Sequence, residues 1–117
     1  MTRALVNAHA ATLPGASHSD PWGGGHDAWK VGGKLFAVTG ASADHGVALK
    51  CRDIDTAVLL IDLGRALHAP YFHKSWIRIT WGQVDEAELC DRITQSYQTI
   101  RASLTRKVRA TLPPLTD

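Results

Sequence analysis

Residues 28–51 read AWKVGGKLFAVTGASADHGVALKC. Two alternating apolar runs flank Gly32-Gly33, and a two-residue hairpin turn needs positive φ at its centre, which glycine adopts without a Cβ clash. A tight turn at Gly32-Gly33 follows. The connection from Gly40 to Gly46 then reverses the chain again into Val47-Ala48-Leu49-Lys50-Cys51, so the stretch predicts three consecutive antiparallel strands. Side chains alternate faces along a strand. That alternation places Leu35, Ala37, Val47, Leu49 and Cys51 on one apolar face and turns Lys50 and Arg52 the other way.

Working outward toward the C-terminus, Asp53 is placed to cap a helix over Ile54 to Leu63, and Gly64 suits the left-handed position that ends it. Ala57, Val58, Leu59, Leu60, Ile61 and Leu63 surround this helix almost completely, which predicts burial on more than one side or a subunit interface. Tyr71 to Lys74 and Trp76 to Trp81 read as two further strands; in the second, Ile77, Ile79 and Trp81 alternate with Trp76, Arg78 and Thr80. Asp85 with Glu88 makes a capping-box pattern, and Val84 with Leu89 a hydrophobic staple. Leu89, Ile93, Tyr97, Ile100, Leu104 and Val108 recur every three or four residues, predicting one long helix that Pro113-Pro114 stops.

Toward the N-terminus, Thr2 to Thr12 predicts a first helix with Leu5, Ala8 and Ala11 or Thr12 at helical spacing, ended by Leu13-Pro14-Gly15. The Gly- and Pro-rich stretch from Ala16 to Asp27 leaves room for a short strand near Ser17 to Trp22 before a loop at Gly23-Gly24-Gly25. The order is α-β-β-β-α-β-β-α. The predicted fold class is α+β, an antiparallel sheet packed by helices including a long C-terminal one.

With 117 residues, 44% apolar and 21% charged, the chain has the composition of one soluble globular domain covering residues 1–117. No apolar run approaches the roughly 20 residues that span a bilayer, and the start lacks a basic region followed by a hydrophobic one. The expectation is a cytoplasmic protein without a membrane role. Cys51 and Cys90 sit in apolar patterns and read as buried thiols, since free cysteine packs as a small hydrophobe.

The net charge of +2 says little, but its distribution says more. Leu63 to Val84 holds no carboxylate but contains Arg65, Lys74 and Arg78, and Arg92 to Leu112 holds Arg92, Arg101, Arg106, Lys107 and Arg109 without an acid. Part of the asymmetry is internal, because carboxylates favour helix N-termini and cations favour C-termini. An anionic partner accounts for the same pattern.

Leu13-Pro14-Gly15, Pro21-Trp22-Gly23, Lys30 to Ala37 (KVGGKLFA), Leu49-Lys50-Cys51, Lys74 and Trp76 before a strand, and Ser96-Tyr97 together resemble the MmcQ/YjbR family over almost the whole chain. The resemblance implies an α-β(3)-α-β(2)-α two-layer arrangement related to type III secretion chaperones. It also implies DNA binding through a double-wing use of the sheet and its loops. The approach to the second strand pair, His73-Lys74-Ser75-Trp76, is shorter and less basic than the family's lysine-rich version.

Nucleic-acid binding needs cations that displace condensed counterions. Lys30 and Lys34 flank the Gly-Gly turn, Lys50 and Arg52 lie on the outward side of the next strand, and Lys74 and Arg78 come from the second strand pair. These six are the candidate contacts to double-stranded DNA, and charge reversal at Lys34 and Arg78 is expected to weaken binding to all sequences alike. Lysines at hairpin ends also serve as solvated edge protection. No helix reads as a recognition helix, so sequence-specific readout is not expected.

His18 with Asp20, and His26 with Asp27, can bind a metal or move protons, but no HxxxH, HExxH or CxxC spacing and no phosphate-binding Gly-rich loop accompanies them. No catalytic residue, metal or cofactor is expected. Trp22, Trp29, Trp76 and Trp81 read first as packing residues; an exposed one can stack on a base or fill a partner's pocket. The alternative function is a protein-interaction module, chaperone-like or homodimeric and without nucleic-acid binding, that uses the apolar helix Ile54 to Leu63 or exposed tryptophans; a third reading is a small-molecule or metal site in the His18 to Asp27 loop.

Overall fold

The computed structural model describes residues 2–40 and 45–115. Along the chain run α1 (Arg3–Ala11), β1 (Ser17–Ser19), β2 (Asp27–Val31), β3 (Lys34–Thr39), β4 (Gly46–Lys50), α2 (Ile54–Asp62), β5 (Leu67–His68), β6 (Trp76–Thr80), α3 (Glu86–Ser103) and α4 (Arg106–Ala110). The described strands form one antiparallel sheet in the order β1-β2-β3-β4-β6-β5. The α+β class matches the one predicted from the sequence. The middle of the predicted Gly40 to Gly46 connection, residues 41–44, lies outside the described residues.

The Gly32-Gly33 turn forms with φ of 57° and 84°, the left-handed pair that a two-residue hairpin requires. Gly32 has a second constraint, because a Cβ there would collide with the Leu104 side chain. A bulge follows in the β2–β3 ladder. Trp29 pairs with Ala37 while Lys30 pairs with Leu35, leaving Phe36 as the extra residue. Phe36 and Ala37 therefore both enter the core, and Leu35 packs on the opposite face with Val38, Ala48 and Trp76. This corrects the expected face of Leu35, since a bulge shifts the alternation by one residue.

Other expectations shift in register, and two change in kind. In α1 the buried positions are Val6 and Ala10, not Leu5 and Ala8. The strand expected at Tyr71 to Lys74 is instead the two-residue β5 followed by a turn, in which Tyr71 takes φ of 70°. The predicted long last helix is broken: Leu104 is extended and Thr105 caps α4 by accepting from the Val108 amide at 3.2 Å. Leu104 and Val108 thereby reach the hairpin tip at Gly32.

The predicted caps form. Asp53 accepts from the Thr56 amide at 2.7 Å and Asp85 from the Glu88 amide at 2.8 Å. Glu88 does not return the bond to residue 85 but pairs with Arg65, whose Nε donates to it at 2.9 Å. That pairing and the neighbouring Arg92 hold the Glu88 carboxyl below its ordinary range.

Helices cover one face of the sheet. Val31, Phe36, Ala37, Val47, Leu49, Ile77 and Ile79 pack there against Val6 and Ala10 of α1 and Leu89, Ile93, Tyr97 and Ile100 of α3. Two hydrogen-bonding residues lock α3 to this face. The fully buried Ser96 hydroxyl donates to the Phe36 carbonyl at 2.6 Å and accepts from the Lys50 amide at 2.8 Å, bridging two strands just past their last ladder pair. The Tyr97 hydroxyl donates to the Pro14 carbonyl at 2.5 Å and accepts from Arg101 at 2.8 Å, which anchors the Leu13-Pro14-Gly15 turn.

Candidate nucleic-acid interface

The strand register gathers five of the six candidate cations at one end of the sheet. Lys30 and Lys34 flank the β2–β3 turn, Lys50 and Arg52 lie where β4 ends, and Trp76 stands opposite Lys50, so Lys74 falls at the same end. Arg78 sits two residues further along β6, opposite Ala48. Directly paired residues share a face. Lys30 faces with Leu35, Lys50 with Trp76 and Arg78 with Ala48, so these three occupy the face that the helices leave bare. Lys34, opposite the core residue Val31, is exposed on the other side of the hairpin tip.

The six are not electrostatically equal. Lys50 is half-buried and its ammonium donates to the Ser75 hydroxyl, which lies 2.7 Å from His73 Nδ1. Arg52 Nε is 3.5 Å from the Asp53 carboxylate, and hydrogen bonds from the Thr56 side chain and amide hold that carboxyl below its usual range. Lys30, Lys34 and Lys74 have no ion-pair partner among the described residues, and Lys34 and Lys74 are exposed.

Three cations outside the six candidate contacts join this end. Arg106, Lys107 and Arg109 are exposed on α4, which the Leu104 and Val108 contacts seat beside Gly32. The acid-free run from Arg92 to Leu112 was their signal; the helix break that turns them toward the hairpin was not readable from a continuous apolar stripe.

The histidine pairs exchange partners relative to the sequence reading. His18 Nε2 lies 2.5 Å from Asp27, and His26 Nδ1 lies 3.6 Å from Asp20. Asp27 also accepts from Asn7 at 3.1 Å and sits 3.5 Å from Arg3. Burial pushes its pKa up, but the bonds from His18 and Asn7 and the Arg3 charge outweigh that and leave the carboxyl below its ordinary range. Asn7 in turn accepts from Trp29 Nε1 at 2.9 Å, so the cluster ties α1, β1 and β2 together. Among the described residues no group of three or more His, Cys, Asp or Glu can hold a metal. Cys51 is buried and Cys90 partly so, and burial raises both thiols above the usual value. A cavity of about 220 Å³ beside Cys51 is flanked by Arg52 and Arg92. Arg92 lies 3.8 Å from Glu88, so that site is already charge-compensated.

The aromatic residues divide. Trp29 and Trp76 are buried and Trp81 packs partly into the core, whereas Trp22 is 56% exposed. Among the described helices none is long and apolar enough to cross a membrane.

Compared with models of protein families, residues 11–99 match YjbR. The chain belongs to the YjbR family. Among solved structures it is similar to Deinococcus radiodurans protein DR2400, a DUF419 domain, with a TM-score of 0.77 and 18% identity over 90% of this chain and 83% of that one. At that identity the likeness concerns the fold. No curated protein matches the sequence significantly. Several residues through which this chain resembles the YjbR family are scaffold: the Gly32-Gly33 turn, Ser96 between β3 and β4, and Tyr97 on the Pro14 turn.

Proposed function

We propose that this YjbR-family protein is a non-enzymatic binder of double-stranded DNA, contacting phosphates without sequence preference through the basic end of its sheet. The observation that supports this reading most is the convergence of Lys30, Lys34, Lys50, Arg52 and Lys74 at one sheet end, with α4 and its three cations alongside. The β2–β3 hairpin tip and the loop carrying Lys74 project from that end as two separate contacts, and Arg78 extends the surface onto the bare face. Such a surface binds by releasing counterions, and its affinity falls steeply with salt.

The test is fluorescence anisotropy with a labelled duplex of random sequence at low and near-physiological salt. The triple variant Lys30→Glu/Lys34→Glu/Lys74→Glu is expected to bind all duplexes more weakly. If each lysine meets one phosphate, the log–log salt slope shrinks by about 3. Equal affinity at both salt concentrations, or an unchanged triple variant, rejects the reading.

A second reading rests on α2. Only Ala57 and Leu60 are buried there, while Val58, Leu59 and Leu63 are 49%, 56% and 62% exposed. The expected burial on several sides does not occur within the chain, and an apolar helix face of this kind is what a protein partner or second copy covers. Light scattering across a concentration series tests it: a mass that rises with concentration and falls back in Leu59→Glu/Leu63→Glu supports a homodimer. A strict monomer that retains no protein partner removes this reading.

A further inference from the structure

The bare face of the sheet carries a cleft of about 690 Å³, a size typical of small-molecule sites. Its floor is made of small side chains: Gly46, Ala48 and Val38 lie side by side on β4 and β3, so nothing fills the depth. Its walls are aromatic. Trp22, packed edge-on against His26 at a centroid distance of 5.1 Å, stands on one side. Tyr71 and Phe72 stand on the other, with Phe72 stacked on Trp76 at 4.6 Å. Tyr71 is fully exposed, and it alone among the described non-glycine residues has a positive φ.

One cation reaches this floor. Arg78 stands opposite Ala48, and its Nε is sealed from solvent without a hydrogen-bond partner among the described residues. Arg78 lines the cleft, and an oxyanion placed against the part of its guanidinium that faces the cleft gains a charge-assisted bond where water competes poorly. Of the other basic groups nearby, His26 lies by Asp20 and Lys50 donates to Ser75, while His45 lines the cleft beside Gly46. The cleft therefore offers flat aromatic walls and, in the half-buried Arg78, a permanently charged donor at its floor.

We propose that this cleft is a ligand site for a planar aromatic compound bearing one oxyanion, a carboxylate or sulfonate, with the ring between Trp22 and the Tyr71-Phe72 wall and the anion on Arg78. The site shares Arg78 with the DNA-contact reading and otherwise lies away from it. The phosphate-contact reading draws chiefly on the sheet end, and the ligand reading on the middle of the bare face.

The test uses anilinonaphthalene sulfonate as probe and the uncharged phenylnaphthylamine as its neutral counterpart, titrated with energy transfer from tryptophan as readout. The native protein is expected to bind the sulfonate at one site. Arg78→Met should weaken the sulfonate at least about tenfold, the worth of one hydrogen bond to a charged group, and leave the neutral probe nearly unchanged. Ala48→Phe, which fills the floor and keeps the charge, should abolish both. A thermal melt alongside identifies any variant that fails to fold; if Arg78→Met does, Ala48→Phe carries the test. Equal loss of both probes in folded Arg78→Met, or unchanged binding in folded Ala48→Phe, overturns the proposal. The Lys30/Lys34/Lys74 triple variant should bind the sulfonate normally, so failure of DNA binding and failure of this site are read separately.

Discussion

The two faces of the sheet use the same strands in opposite ways. On the helix-covered face Val47, Leu49, Ile77 and Ile79 present only apolar side chains and are 0–1% exposed. On the bare face their neighbours are Ala48, Lys50, Trp76, Arg78 and Thr80, which mix small, aromatic and charged side chains. Burial of large apolar groups stabilises the first face, at about 1.5–3 kcal/mol per fully buried side chain. The second cannot contribute on that scale, and so is free to carry charge and a cleft. The apolar core and the charged surface are separated by the two-residue period of the strand.

The sharpest way to break this contrast is a pair of equal truncations. Leu49→Ala on the covered face should cost about 2–5 kcal/mol in urea unfolding, whereas Leu35→Ala on the bare face should cost about 1 kcal/mol because the side chain is already half in water. Equal costs would mean that something covers the bare face in solution.

Next in size is Ser96→Ala. It leaves the Lys50 amide and the Phe36 carbonyl facing each other without their bridge, at about 1–3 kcal/mol, or a melting point lower by roughly 4–12 °C. A loss well under that range would show that the strands close directly and that α3 is held by packing alone.

Acid stability gives a third, smaller effect at the margin of the covered face. Asp27 has a folded pKa below its unfolded value, so its stabilisation is fully present above about pH 3.9 and disappears as the pH falls through the lower folded value. Asp27→Asn should lower the melting point at neutral pH and flatten its fall in acid. An unchanged acid limb would remove the Arg3–Asn7–His18–Asp27 cluster from the account of how α1 docks.

Smallest of all, Lys30→Glu/Lys34→Glu/Lys74→Glu should shift stability by no more than about 0.5 kcal/mol per site while altering duplex affinity. A large loss of stability would mean that the basic end is part of the scaffold.

Much of the framework was legible because local signals and tertiary structure agree. The Gly-Gly turn, the Asp53 and Asp85 caps and the Ile77/Ile79 alternation each follow from backbone or side-chain chemistry within a few residues. The signals failed where a distant contact decided. Leu35 changes face because one extra residue, Phe36, enters the β2–β3 ladder. The last helix breaks because Thr105 caps a new turn and Leu104 packs on Gly32, a partner 72 positions away. Tyr71 to Lys74 has strand-like composition, yet Pro70 removes a donor and Tyr71 turns left-handed. For the candidate site, the residue types were readable and their convergence was not.

The sequence by itself determined the class of fold, the hairpin, the helix starts and the pool of cations, since each depends on short-range periodicity or on one residue's conformational range. Only the tertiary structure decided that Lys30, Lys34, Lys50, Arg52 and Lys74 share one end of the sheet, that Arg78 lies under an aromatic-walled cleft, and that α2 keeps an uncovered apolar side. Those facts depend on register between strands far apart in the chain, and register is fixed by the packing of the whole covered face.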